Sequence, residues 1–411
     1  MAEATFPTGL SVAEARARIV AIAAAAVLPT EQVRLDHAQG RVLAIDVAAP
    51  RDVPGFVNSA MDGYALRGVD LPALGEKAFA LSGAILAGGA AAPTVTRDCC
   101  VRITTGAPLP RDADTVVMKE NTRVEGERVI VAADTPPGAN VRDAGEDYRA
   151  GEPALWAGTR LAPAHVAVLA AFGMAQVELV RRCRAVLITT GDELTEPGAP
   201  LGFGAIYDSN RYSLGGLLQQ HGVELLRHER VRDDPDALRD ALRRAGADAD
   251  IVLSSGGVSA GEADFLPRLI AELGCVHLWK VRMKPGMPFL FGSVGRALAF
   301  ALPGNPVSGV ATFLTLVRPA LDVMQRARSE GGALRARLRE PVSKRHARTE
   351  FQRARLECDA QGCLWALAHE KQGSGMLRGV AETDALIVLD EGGRDFAAGD
   401  LVDVLPLPGW P

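Results

Sequence analysis

The sequence predicts a multidomain α/β plus β protein: a central α/β domain with a mainly parallel sheet, an inserted β-rich domain and a small C-terminal domain resembling a β-barrel. Between residues 183 and 325, short apolar runs alternate with helical stretches of 11 or more residues, the pattern of βαβ units. Between 51 and 142 the helical spacing disappears, and brief Val and Ile runs are broken by Gly, Pro and Asp turns. After residue 329 the strand-and-turn pattern returns. At 411 residues the chain has room for roughly two to four domains.

Each element has a local reason. Ser11-Val12-Ala13-Glu14 is a capping box, which opens a helix expected to run to about Val27 and stop before Pro29. Residues 33–48 read as a short polar connection and an apolar strand. Gly126 between two Val-containing runs predicts a hairpin over 123–131, and a helix is expected at 163–172, ending at Gly173. In the α/β stretch, strands are expected at 185–190, 223–226, 250–254 and 297–302, with helices at 209–220, 235–245, 263–273 and 307–325. Asp234-Pro235 is a strong helix start, because the carboxylate caps and proline at the first position loses no hydrogen bond. In the C-terminal part, strands are expected at 364–367 and 385–389. The Ala/Gly-rich stretch 83–92 reads as a mobile loop.

Composition narrows the function. A formal net charge of −5 implies no broad positive surface and argues against non-specific binding of nucleic acid. The apolar run at 19–28 is too short to span a bilayer, so no membrane association is expected. The six cysteines include no CxxC pair, which disfavours structural zinc and fits a reduced cytoplasm.

Ligands of parallel sheets bind beyond the carboxyl ends of the strands. Three loops at that edge carry unusual residues. Thr189-Thr190-Gly191-Asp192-Glu193 follows one strand. Ser254-Ser255-Gly256-Gly257-Val258-Ser259, continuing to Asp264, follows another, and Pro303-Gly304-Asn305-Pro306 a third. Paired glycines let the backbone approach a phosphate, serines add donors, and helix N-termini offer free N–H groups. Glu193, Asp233 and Asp264 are oxygen ligands suited to Mg2+, while Lys280 and Lys284 can neutralise a phosphate or an oxyanion. Singly, each is an ordinary turn or solvated charge; together they predict a phosphate-bearing ligand and leave the reaction open. The Walker lysine motif and a helix-opening GxGxxG loop are both missing. In the β-rich stretch, Asp62 before Gly63 and Thr105 before Gly106 read as turn residues, and Asp147 as part of a linker.

Longer strings identify a resemblance: NSAMDGYA at 58–65, RITTGAPLPRDADTVV at 102–117, GED at 145–147, TTGDEL at 189–194 and IYDSNRY at 206–212. To these are added SSGGVSAGEADF at 254–265, WKVRMKPG at 279–286, LPGNPVSG at 302–309 and QGSGML at 372–377. In this order they resemble the bacterial molybdopterin molybdenumtransferases, the MoeA family, related to the gephyrin E domain, over essentially the whole chain. The resemblance implies a four-part division: 1–50 with 143–180 as an N-terminal and linker domain, 51–142 inserted, 181–328 a MogA-like molybdopterin-binding α/β domain, and 329–411 a C-terminal β domain. It implies a homodimer with a composite active site. It implies insertion of molybdate into adenylyl-molybdopterin with release of AMP in the presence of Mg2+, and contact with a pterin adenylyltransferase and apo-molybdoenzymes. The catalytic residues implied are Asp62, Thr105, Asp147, Glu193, Asp233 and Asp264, with Lys280, Lys284 and Ser374 binding substrate alongside the three loops. Where many relatives have a second lysine, this chain has Met287, so an oxyanion or phosphate contact there is expected either to be weaker or to be made by Arg282 instead. The alternatives are a molybdopterin adenylyltransferase, whose size matches only the α/β domain, and a non-enzymatic scaffold like the gephyrin E domain.

Overall fold

A seven-stranded sheet occupies the middle of the structure, a computed structural model that describes residues 6–89, 93–258, 265–328 and 334–407. Its strands are β1 (Thr8–Leu10), β2 (Arg184–Thr190), β3 (Glu224–Val231), β4 (Ile251–Ser255), β5 (Gly274–Val281), β6 (Leu290–Val294) and β7 (Ala297–Leu302), in the order β1-β5-β6-β7-β4-β2-β3. The β7, β4, β2 and β3 run is parallel, whereas β6 is antiparallel to both neighbours. The helices on this sheet are α1 (Val12–Ala23), α2 (Asn210–Gln220), α3 (Pro235–Asp248), α4 (Leu266–Leu273) and α5 (Pro306–Met324). Burial on both faces explains the apolar runs Ala185–Ile188, Ile251–Leu253 and Ala297–Leu302 in β2, β4 and β7, with buried Thr and Ser only at the carboxyl ends of β2 and β4.

The first helix starts on the Ser11–Glu14 capping box but ends at Ala23, a turn short of the expectation. Tighter turns follow it, and the Leu28 N–H bonds the Met324 carbonyl, which carries Leu28 into the core. The expected unit of residues 1–50 with 143–180 divides in its contacts. Strand β1 pairs with β5, and Val12, Ala15 and Ile19 pack with Leu187, Phe291 and Phe313 of the α/β unit. Strand Thr30–Arg34 pairs instead with Gln176–Val180, and Leu43, Leu161, Leu169 and Phe172 form a separate core. Helix α5 is mostly apolar, and 78% of its most apolar 18-residue stretch is buried, as suits a central core helix.

The β-rich unit holds a six-stranded sheet that includes the expected hairpin, with Arg128 opposite Glu125 around Gly126. Gly63 is required by its neighbour: a Cβ there would lie 2.0 Å from the Val117 carbonyl oxygen. Strand Glu76–Ile85 replaces the first part of the loop expected over 83–92. The C-terminal strands close into a five-stranded barrel, Thr349–Cys358 pairing with both Leu364–Ala368 and Ala385–Leu389. A two-residue strand, Met283–Lys284, joins this barrel from the α/β unit and aligns Lys284 with Glu350.

Candidate active site

The parallel strands β2, β4 and β7 end at one edge of the sheet, and the loops beyond them line a cavity of about 610 Å³. Glu193, Asp233, Ser255, Gly256, Gly257, Pro303, Gly304, Asn305 and Pro306 all line it. Ser254 lies buried in β4 instead, and Ser259 and Asp264 fall outside the described residues. Gly256 has φ +98°, and a Cβ there would lie 2.5 Å from the Thr190 carbonyl oxygen, so the loop fits against β2 only as glycine. Thr190 Oγ1 donates to Asp233 Oδ1 at 2.7 Å, which fixes that carboxylate at the rim. Asn210 ties two loops together, its amide donating to Ser255 Oγ at 2.8 Å and to the Gly304 carbonyl at 2.6 Å.

Part of the cavity wall is a buried polar layer that includes Thr189 and Asp208. Thr189 Oγ1 donates to Asp208 Oδ2 at 2.6 Å and lies 2.9 Å from His228 Nε2, while Asp208 Oδ1 accepts the Arg211 N–H. Asp208 is 1% exposed, and burial holds the His228 pKa below its ordinary value. The start of α5 is less open than expected, since Pro306 has no N–H and the Val307 N–H bonds the Ser374 carbonyl at 3.1 Å. Asn305 also donates to Ser374 Oγ at 3.0 Å, joining the C-terminal domain to the site.

A second cavity of about 370 Å³ adjoins the first and shares Pro288, Pro303 and Asn305 with it. Lys284, Met287, Arg348, Glu350 and Ser374 line it, and Lys284 Nζ lies 3.0 Å from Glu350 Oε1. The two lysines therefore separate. Lys280, at φ +62°, lines neither cavity and sets its ammonium 4.5 Å from the centre of the Trp279 ring. Arg282 does not stand in for a cation at Met287. It is held by Glu391 through two 3.1 Å contacts, whereas Arg348 faces the cavity with Nη1 3.8 Å from Met287 Sδ. Arg353, buried in the barrel, donates to the Gly373 and Lys371 carbonyls, and the Gln372 side chain pairs with the Arg353 backbone. Together they shape the loop that carries Ser374.

The remaining candidates sit apart. Asp62 Oδ1 accepts from the Thr105 N–H at 2.8 Å and from its hydroxyl at 2.9 Å, with Lys119 Nζ 3.5 Å from Oδ2. The Thr105 backbone and side-chain donors, and then the Lys119 charge, hold this carboxyl below its ordinary pKa. Asp147 lines a third cavity of about 550 Å³ with Phe56, Asn58, Gly106 and Arg142. None of Asp62, Thr105 and Asp147 lines the first cavity.

Among the described residues, no cluster of three or more His, Cys, Asp or Glu side chains could enclose a metal. Two carboxylates, Glu193 and Asp233, at a cavity with phosphate-type loops nonetheless suit Mg2+, which keeps waters and binds through one or two carboxylates plus substrate phosphates.

Residues 10–173 match the MoeA N-terminal region (domain I and II), 186–323 a probable molybdopterin binding domain, and 335–407 the MoeA C-terminal region (domain IV). The molybdopterin molybdenumtransferase of Haemophilus influenzae is 35% identical over 380 residues, covering 92% of this chain and 94% of that protein. The Nostoc enzyme of the same name is 38% identical over 402 residues, covering 92% and 89%. The crystal structure of the molybdopterin biosynthesis MoeA protein from Pyrococcus horikoshii superposes with a TM-score of 0.79 at 29% identity, covering 97% of this chain and 99% of that one. With all three regions matched in order and relatives of this similarity along nearly the whole length, the chain belongs to the MoeA family of molybdopterin molybdenumtransferases.

Proposed function

We propose that this enzyme inserts molybdate into adenylyl-molybdopterin, releasing AMP and giving molybdenum cofactor, with the nucleotide-bearing pterin in the first cavity and molybdate in the second. One observation carries the reading: the two cavities share a wall at Pro288, Pro303 and Asn305, one side bearing carboxylates and close-approach loops, the other Lys284 and Arg348. The Gly256-Gly257 backbone and Ser255 receive a phosphate without a side chain in the way. Asn210 keeps the two loops at a fixed separation, and Thr190 keeps Asp233 aimed at the same space. Glu193 and Asp233 would hold Mg2+, which when bound supplies positive charge to the phosphate oxygens. Lys284 and Arg348 hold the oxyanion beside the pterin, an entropic advantage over collision from solution.

Asp62, Thr105 and Asp147 enter this scheme from the other protomer of a two-fold dimer, where the exposed Phe56 and Met61 stand near them. Such an enzyme works in the cytoplasm between a pterin adenylyltransferase and the apo-molybdoenzymes. The adenylyltransferase alternative loses ground because the barrel and the β-rich unit contribute Ser374 and Asp62 beyond the α/β domain. The test is an assay with adenylyl-molybdopterin, molybdate and magnesium, following AMP and reconstitution of an apo-molybdoenzyme. AMP and active cofactor that depend on molybdate support the reading; ATP-dependent adenylylation of free molybdopterin, with no metal insertion, rejects it.

A further inference from the structure

Behind the Lys284 ammonium lies a line of ionisable groups for which the reaction scheme has no use. The parallel pairing of Met283–Lys284 with Thr349–Glu350 sets Lys284 beside Glu350. One Glu350 oxygen is 3.0 Å from Lys284 Nζ, and the other is 3.1 Å from His346 Nε2. Glu350 is only 7% exposed in its side chain, so its charge is answered mainly by these neighbours. The His346 contact has ion-pair distance but lacks hydrogen-bond alignment, so its strength depends on the charge of the ring. The loop bearing His346 and Arg348 is fastened by the buried Lys344 ammonium, which donates to the His346, Asp390 and Gly392 carbonyls.

We propose that Glu350 and His346 are positioning residues for Lys284 in oxyanion binding. Glu350 pins the ammonium to the cavity wall, leaving its other N–H donors for the anion beside Arg348. His346 takes up a proton when the anion arrives and balances the carboxylate. This rests on the second cavity being the oxyanion site. Burial is the largest influence on His346 and lowers its pKa; Glu350 raises it, and Lys284, Arg348 and Lys344 lower it. A bound dianion offsets those three cations, so anion binding and protonation of His346 favour each other.

The experiment is calorimetric binding of molybdate alone to the full-length protein, with steady-state kinetics in parallel. Glu350→Ala makes the cavity more positive, and simple electrostatics predicts tighter binding. Positioning predicts the reverse: affinity about five- to tenfold weaker, the scale of one charge-assisted hydrogen bond, with kcat at saturating molybdate within about twofold. Glu350→Gln, which keeps an acceptor for Lys284, restores most of that affinity. Wild-type affinity declines as pH rises through the His346 titration, starting below the ordinary imidazole value, and His346→Gln flattens the decline. Tighter binding by Glu350→Ala, or an unaltered pH profile in His346→Gln, overturns the proposal, and the second comparison decides the matter even if Glu350→Ala does not fold. Lys284→Ala separates the two levels. If it weakens molybdate binding while the other variants behave as wild type, only the positioning claim fails; if it leaves affinity unchanged, the oxyanion site fails with it.

Discussion

Thr190 and Asp233 are joined by a 2.7 Å hydrogen bond from hydroxyl to carboxylate, although they leave different strands, β2 and β3. The bond converts the register of two neighbouring strands into the position of one charge. Thr190→Val keeps the shape and removes the donor, so we expect kcat to drop about 10- to 100-fold with the fold intact, and Thr190→Ser to recover most of it. Asp233→Ala and Asp264→Ala should each lose 10²-fold or more in AMP release. Normal turnover in a folded Asp233→Ala protein rules that carboxylate out of the chemistry.

Cations decide the second cavity. Lys284→Ala should raise the KM for molybdate about tenfold, whereas Met287→Lys, adding a charge beside Arg348, should lower it. Affinity for the adenylylated pterin, measured separately, should change little in either protein. Unchanged molybdate KM in both would place the oxyanion elsewhere.

Acid titration tests the β-rich half of the site. Thr105 holds the Asp62 carboxyl below its ordinary pKa, so the contact stabilises the fold above the unfolded-state value and fades as pH falls through the lowered folded value. In Thr105→Val the Asp62 resonance, followed by carbon NMR, should titrate closer to the usual carboxylate range. No movement would mean that the hydroxyl contributes nothing to that charge.

Mixing experiments test the composite site. Asp62→Ala and Asp233→Ala homodimers should each be nearly inactive. In a mixed dimer one cleft carries both lesions and the other neither, so random exchange should restore about one quarter of wild-type activity. Activity that stays at the single-mutant level after proven subunit exchange assigns Asp62 to its own chain or to no site at all.

The packing of α1 makes a stability prediction. Ile19 is fully buried among α/β-unit side chains, and Ile19→Ala should cost about 2–5 kcal/mol in denaturant unfolding. A loss under about 1 kcal/mol would show that α1 is dispensable to that core.

Much of the α/β unit was legible because β2, β4 and β7 each contain an unbroken apolar run and helices such as α3 announce themselves with a capping Asp and Pro235. The antiparallel excursion through β5 and β6 was not legible. A register shift between Val276 and Leu278 sends those two residues into different cores, and the left-handed Lys280 breaks the strand further, so sequence alternation does not report its faces. The loops of the first cavity could be read because their chemistry is concentrated in short strings. Asn210 and Asp208 stood inside one such string, IYDSNRY, yet their partners, Ser255 and Thr189, are supplied only by folding. Arg348 and Glu350 reach Lys284 through a two-residue strand that no periodicity reveals.

Strand β1 brings a matter of timing. Thr8 pairs with Trp279, 271 positions later (279 − 8), so β1 leaves the ribosome long before its partner, which follows only after β2, β3 and β4. At about 5–20 residues per second the wait is roughly 15–55 s. Throughout it the apolar face of α1 lacks Phe291 and Phe313, and once β5 forms, its outer edge stays open until β1 closes over it. A fragment cut to residues 181–328 would keep every loop of the first cavity's sheet edge and still carry that unsealed edge permanently.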